Sequence, residues 1–181
     1  LRRTGEGKEN HCVAEKHRVL VVDDEASMRE LLEIVLANNG YQVTGASDPI
    51  KAQALLERDS YDVVLTDMRM GADRDAGMNF LSWLQENNPA VPAIMITAYG
   101  SVETAIEAMK RGAADYIMKP FSNDEIRLLV KRAIEQRNLL RENVALRKDQ
   151  ASRGKIENII AKSAPVQRVL AMIRKVAMLP S

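Results

Sequence analysis

The feature that most restricts this chain is a regular alternation, beginning at Arg18, of short β-branched apolar runs with longer stretches whose apolar residues recur at helical spacing. A strand exposed on one face alternates apolar with polar residues. VLVV (19–22), DVVLT (62–66) and AIMIT (93–97) are nearly continuous instead, which predicts strands covered on both faces. YQVTGA (41–46) and DYIM (115–118) bring the strands to five, each followed by a helical pattern. The order predicts an α/β fold: a doubly wound parallel sheet with right-handed crossovers and helices on both sides. Local signals place the helices. Met28, Leu31, Leu32, Ile34 and Val35 recur before Asn38, Asn39 and Gly40 stop the first. Asp48 and Pro49 open the second, which carries Ala52, Leu55 and Leu56 inward. Phe80, Leu81 and Leu84 mark the core face of the third, with Trp83 and the scattered methionines read as packing. The fourth runs from near Ser101 to Gly112, and Ser122 with Glu125 forms an S-x-x-E capping box for the fifth.

Composition then narrows the chemistry. The only histidines, His11 and His17, precede the first strand, and Cys12 is the single cysteine, so histidine triads, zinc sets and internal disulfides lack their raw material. A lone thiol suits a reducing cytoplasm, and no apolar run approaches the roughly 18 residues of a membrane span. In doubly wound sheets the chemistry sits at the carboxyl ends of the strands. Here those ends carry Asp23-Asp24-Glu25, Asp67, Thr97-Ala98 and Lys119-Pro120. Converging carboxylates repel unless a cation neutralises them, and oxygen-only ligands favour Mg2+, or Mn2+, over zinc. A lysine offsets further negative charge and a threonine hydroxyl donates to an oxyanion, parts that fit phosphoryl transfer onto a carboxylate. Asp67, alone at the end of the middle strand, is the expected nucleophile. Each residue has a duller role available: an acidic pair as a helix cap, Thr97 as a strand end, Tyr116 as a half-buried strand aromatic. Their joint register on four strands argues against that reading.

VLVVDDE, VVLTD, MITAYG and YIMKPF together resemble a response-regulator receiver domain over residues 17–133. The resemblance implies the flavodoxin-like strand order 2-1-3-4-5. It further implies phosphorylation of Asp67 by a histidine kinase, Mg2+ held by Asp23, Asp24, Asp67 and the backbone carbonyl of Arg69, and Lys119 in contact with the phosphoryl group. Thr97 and Tyr116 match the family's switch pair, Lys119-Pro120 a bond usually held cis, and Arg69 and Tyr99 the positions flanking the path of the hydrolytic water. Both are large and neither is a carboxylate or carboxamide, which predicts slow self-dephosphorylation. One loop departs from the pattern. The family commonly has proline four residues after the phosphoacceptor, where this chain has Gly71, and the run to Gly77 is two residues longer, which predicts a looser loop.

The C-terminal third continues the fifth helix. Ile126, Leu129, Val130 and Ala133 face the sheet, and the apolar pattern runs on through Leu139, Leu140, Val144 and Leu146 without Gly or Pro until Gly154. Between Glu125 and Lys155 there are nine Lys/Arg against four Asp/Glu, read as the solvated face of a coiled coil because aromatics are absent. Leu140 and Val144 are the expected dimer contacts. The expected organisation is a flexible tail (1–16), a receiver domain (17–133), a coiled-coil linker helix (134–155) and a truncated edge of an AAA+ ATPase domain (156–181). IENIIAKSAPVQRVLAMIRKVAMLPS resembles the opening of that domain in NtrC-type, sigma-54-dependent activators, and it stops before any G-x-x-x-x-G-K-[ST] loop. The chain therefore reads as the regulatory fragment of a longer transcription activator that itself binds no nucleic acid and no membrane. It is expected to be a phosphoacceptor, not an enzyme. Three other classes fit the residues less well. A haloacid-dehalogenase-type phosphohydrolase wants a second aspartate where Arg69 stands, an FMN carrier wants neutral donors where Asp23-Asp24-Glu25 stand, and an unphosphorylated interaction domain has no need of the full acidic site.

Overall fold

The computed structural model describes residues 16–71, 73–98 and 101–153. The expected tail up to residue 15, the truncated ATPase edge and Tyr99 lie outside the described residues. Five strands, β1 (Arg18–Val22), β2 (Gln42–Ala46), β3 (Val63–Asp67), β4 (Ala93–Thr97) and β5 (Asp115–Met118), alternate with α1 (Ala26–Ala37), α2 (Pro49–Arg58), α3 (Ala76–Asn87), α4 (Val102–Lys110) and α5 (Asn123–Arg153). All strand pairs are parallel, in the order β2-β1-β3-β4-β5.

The continuous apolar strands are covered on both faces. Leu20, Val22, Val64 and Met95 pack with Ala52 and Leu56 of α2, Phe80, Leu81 and Leu84 of α3, and Ala108 of α4. Val19, Val21, Val63, Leu65, Ile94 and Ile96 pack with Leu32, Val35 and Leu36 of α1 and Ile126, Val130, Ala133 and Ile134 of α5. Successive strand side chains thus feed opposite cores, each fully buried Val, Leu or Ile contributing roughly 1.5–3 kcal/mol. Trp83 lies partly buried at the edge of the first core, stacked on Phe80 with ring centroids 6.0 Å apart. In α1 the buried set is Leu32, Val35 and Leu36, whereas Leu31 and Ile34 are exposed. Their spacing puts them on the helix flank, because only about a 100° stripe can face a single sheet.

Side-chain caps mark the starts of α2, α4 and α5. The Asp48 carboxylate accepts the Lys51 N–H at 2.9 Å with Pro49 in the first turn of α2. Ser101 and Thr104 exchange bonds at the start of α4. The expected box at α5 is present: Ser122 Oγ accepts the Glu125 N–H at 3.2 Å and Glu125 Oε2 accepts the Ser122 N–H at 2.6 Å.

Burial on α5 does not stop at Ala133. Ile134 is buried, and so is Arg137, whose guanidinium pairs with Asp62 and donates from Nε to the Ala90 carbonyl at 3.0 Å. Asp62 also accepts the Arg18 N–H at 2.8 Å, joining the starts of β1 and β3 to α5 at the sheet edge opposite the strand carboxyl ends. The first compact unit accordingly reaches Asn138. In the second, residues 139–153 are helical, and Leu139, Leu140, Val144 and Leu146 are exposed. Among the described residues no helix is long and apolar enough to cross a membrane.

Candidate functional site

The parallel register brings the strand ends together. Asp23 follows β1, Asp67 ends β3, Thr97 ends β4 and Lys119 follows β5. Asp23 is fully buried, and Lys119 Nζ lies 3.0 Å from its Oδ2 and 3.1 Å from Asp67 Oδ2. One lysine thus bridges two carboxylates. Burial pushes the Asp23 carboxyl above the usual range, opposed by the Glu25 N–H on Oδ1 at 2.8 Å and by Lys119. Burial also works against the Lys119 charge, but the two aspartates outweigh it and hold the ammonium above its ordinary value. The other Asp67 oxygen, Oδ1, accepts the Met68 N–H at 2.7 Å. The carboxylate is therefore fixed in orientation by one contact on each oxygen.

Asp24 is exposed at the rim, and its Oδ2 accepts the Gly71 N–H at 2.8 Å. Single carboxylate oxygens from Asp23, Asp24 and Asp67 all lie within 4.8 Å of one another, so the three can share one cation. The donor set is all oxygen and one member faces solvent, which fits a hard divalent ion that keeps several waters. Glu25 supplies its N–H and stands at the α1 N-cap, outside that cluster. The Thr97 hydroxyl is fully buried and donates to Met68 Sδ at 3.8 Å. Tyr116 packs against the α2–α4 core, and its buried hydroxyl has no hydrogen-bond partner among the described residues. Arg69 is half-buried. The Lys119–Pro120 peptide is cis.

Three contributors escaped the sequence reading. Arg29 Nη1 donates to the carbonyls of Asp23 at 2.6 Å and Asp24 at 3.0 Å, bracing the acidic turn from inside α1. Its position one turn into the helix was the available signal. Gly77 lies against the nucleophile's backbone: a Cβ there would stand 2.1 Å from the Asp67 carbonyl oxygen and 2.7 Å from Met68 Cα, while its N–H donates to the Met68 carbonyl at 3.0 Å. The loop between β3 and α3, expected to be loose, is tied down. Met70 and Asp73 exchange two backbone bonds of 3.3 Å, Met70 is buried, and Asp73 Oδ1 accepts the Asp75 N–H at 2.9 Å.

Residues 19–131 match the response regulator receiver domain family. The chain belongs to that family. It is 35% identical over 163 residues to the response regulator protein PilR of Pseudomonas aeruginosa, covering 90% of this chain and 34% of PilR. It is also 37% identical over 129 residues to a putative NtrX-like response regulator of Rickettsia felis, covering 71% of this chain and 27% of that protein. The receiver chain thus spans about a third of the length of the curated relatives it matches. Among solved structures, NtrX from Brucella abortus in complex with ADP aligns at a TM-score of 0.69 with 31% identity, over 90% of this chain and 35% of that one. The beryllofluoride-activated NtrC4 receiver domain dimer aligns at 0.62 with 37% identity, over 66% and 98%.

Proposed function

We propose that this receiver accepts a phosphoryl group on Asp67 from a histidine kinase, in the cytoplasm, as the regulatory part of a sigma-54-dependent transcription activator. The observation that carries the reading is the bridging lysine: Lys119 Nζ sits 3.0 Å from Asp23 and 3.1 Å from Asp67, so a positive charge is already aimed where phosphoryl oxygens would arrive. An Asp67 carboxylate oxygen attacks the phosphorus of a phosphohistidine, the P–O bond forms as the P–N bond breaks, and the electron pair returns to the kinase imidazole, which is then protonated. The product is an acyl phosphate on Asp67. Asp23, Asp24, Asp67 and the Arg69 backbone carbonyl would hold Mg2+, which supplies neutralisation of phosphoryl oxygen charge. This chain's own residues orient the nucleophile through Met68 N–H and Lys119.

Thr97 and Tyr116 are the parts read as moving. The Thr97 hydroxyl donates to Met68 Sδ, a weak acceptor that a phosphoryl oxygen would outcompete, and the buried Tyr116 hydroxyl, without a hydrogen-bond partner among the described residues, supports a ring with a second resting place. The exposed Leu140 and Val144 support homodimerisation through the linker helix. 19F spectra with beryllofluoride, which mimics a phosphoryl group on a carboxylate, test the reading. Protein-bound fluorine resonances are expected only with Mg2+ present and are expected to vanish in Asp67→Asn; bound resonances of equal intensity in that variant would refute Asp67 as the acceptor.

A further inference from the structure

The turn after β3 departs from the family pattern at a position that touches the acidic site. Gly71 stands where proline is common, its φ is +60°, and its N–H donates to Asp24 Oδ2 at 2.8 Å. Proline could supply neither feature, since its φ is fixed near −65° and it has no N–H. The turn is closed on itself by the paired Met70 and Asp73 and anchored by buried Met70, so the donor is held by backbone and packing. Asp24, in contrast, is the exposed member of the three-carboxylate cluster, the one whose rotamer burial does not fix.

We infer that the lengthened β3–α3 turn is a positioning device for the metal site: the Gly71 amide occupies one oxygen of Asp24 and sets the other toward the cation shared with Asp23 and Asp67. The inference rests on the metal-site reading above. A carboxylate that ligates through one oxygen is commonly hydrogen-bonded through the other, and such outer partners tune metal affinity. Gly71 touches no cation in this account and acts only through Asp24.

Two substitutions at Gly71 test the donor. A Cβ at Gly71 meets nothing within 4 Å, and asparagine tolerates a left-handed φ, so Gly71→Asn keeps both the turn and the donor. Gly71→Pro removes the donor together with the positive φ, so an Asp24→Ala background is needed to isolate the hydrogen bond. In calorimetric titration with Mg2+ alone, Gly71→Asn should bind like the parent and Gly71→Pro about 3- to 10-fold more weakly, the range carried by one typical net hydrogen bond at a solvent-exposed site. In an Asp24→Ala background, where the partner is gone, Gly71→Pro should add no further loss, a coupling that general damage to the turn would not reproduce. A second measurement leaves the turn intact: amide exchange at Gly71 should accelerate in Asp24→Ala. Parental Mg2+ affinity in Gly71→Pro, an equal loss in both backgrounds, or unchanged Gly71 exchange in Asp24→Ala would each overturn the inference. A parent protein that binds no Mg2+ would overturn the metal-site reading along with it.

Discussion

Gly77 shows how tightly a single residue can fix the nucleophile. Its missing Cβ lets the start of α3 press onto the carbonyl of Asp67 and the Cα of Met68, and no rotamer change relieves a clash with backbone. Gly77→Ala should therefore push the Asp67–Met68 peptide away. The expected cost is about 1–3 kcal/mol from overpacking, measured by urea unfolding, together with displaced Asp67 and Lys119 resonances. Parental stability with unmoved resonances would show that the contact is relieved elsewhere. Most of the site was legible at this scale: Asp23, Asp24, Asp67 and Lys119 are gathered as their strand ends implied. What stayed hidden were contacts made by backbone. Neither the Gly71 N–H on Asp24 nor the closeness of Gly77 to Asp67 leaves a side-chain signature, since glycine has none to read.

Among the elements, α5 carries two different environments. Up to Arg137 it belongs to the packed unit, with Ile134 in the core and Arg137 paired to Asp62; beyond it Leu139, Leu140, Val144 and Leu146 are exposed. The apolar period continues through both parts, so the sequence marked the helix well and its packed limit less well. A buried arginine is invisible to a hydrophobic count, because its partner Asp62 lies 75 residues away. The comparison that tests the linker helix is thus a chain ending at Asn138 against one ending at Arg153, since a cut after Ala133 would also remove Ile134 and Arg137 from the packed unit. Burying Leu140 and Val144 against their counterparts would contribute roughly 1.5–3 kcal/mol per side chain before ordering costs. Light scattering should give a monomer for the shorter chain and a dimer for the longer; equal masses would remove the linker helix as the dimer contact. The β3–α3 loop shows the converse difficulty. Its extra length and missing proline suggested looseness, but backbone bonds between Met70 and Asp73 and from the Gly71 N–H to Asp24 hold it, and backbone donors leave no mark in a side-chain pattern.

For the whole molecule, the alternation of β-branched runs and helical stretches was enough to specify the layers, because a parallel sheet has to be covered on both faces. The site followed from the layers: in the order β2-β1-β3-β4-β5, β1 and β3 are neighbours and their ends deliver Asp23, Asp24 and Asp67 to one place, with Lys119 arriving from β5. We propose that this convergence makes Asp67 a phosphoacceptor. The measurement that tests it most directly is the intact mass of the full chain after incubation with Mg2+ and a small phosphodonor such as acetyl phosphate. One added phosphoryl group is expected in the parent, lost on hydroxylamine treatment as an acyl phosphate must be, and none in Asp67→Asn. A parent that gains no mass, or an Asp67→Asn variant that gains as much as the parent, would contradict it.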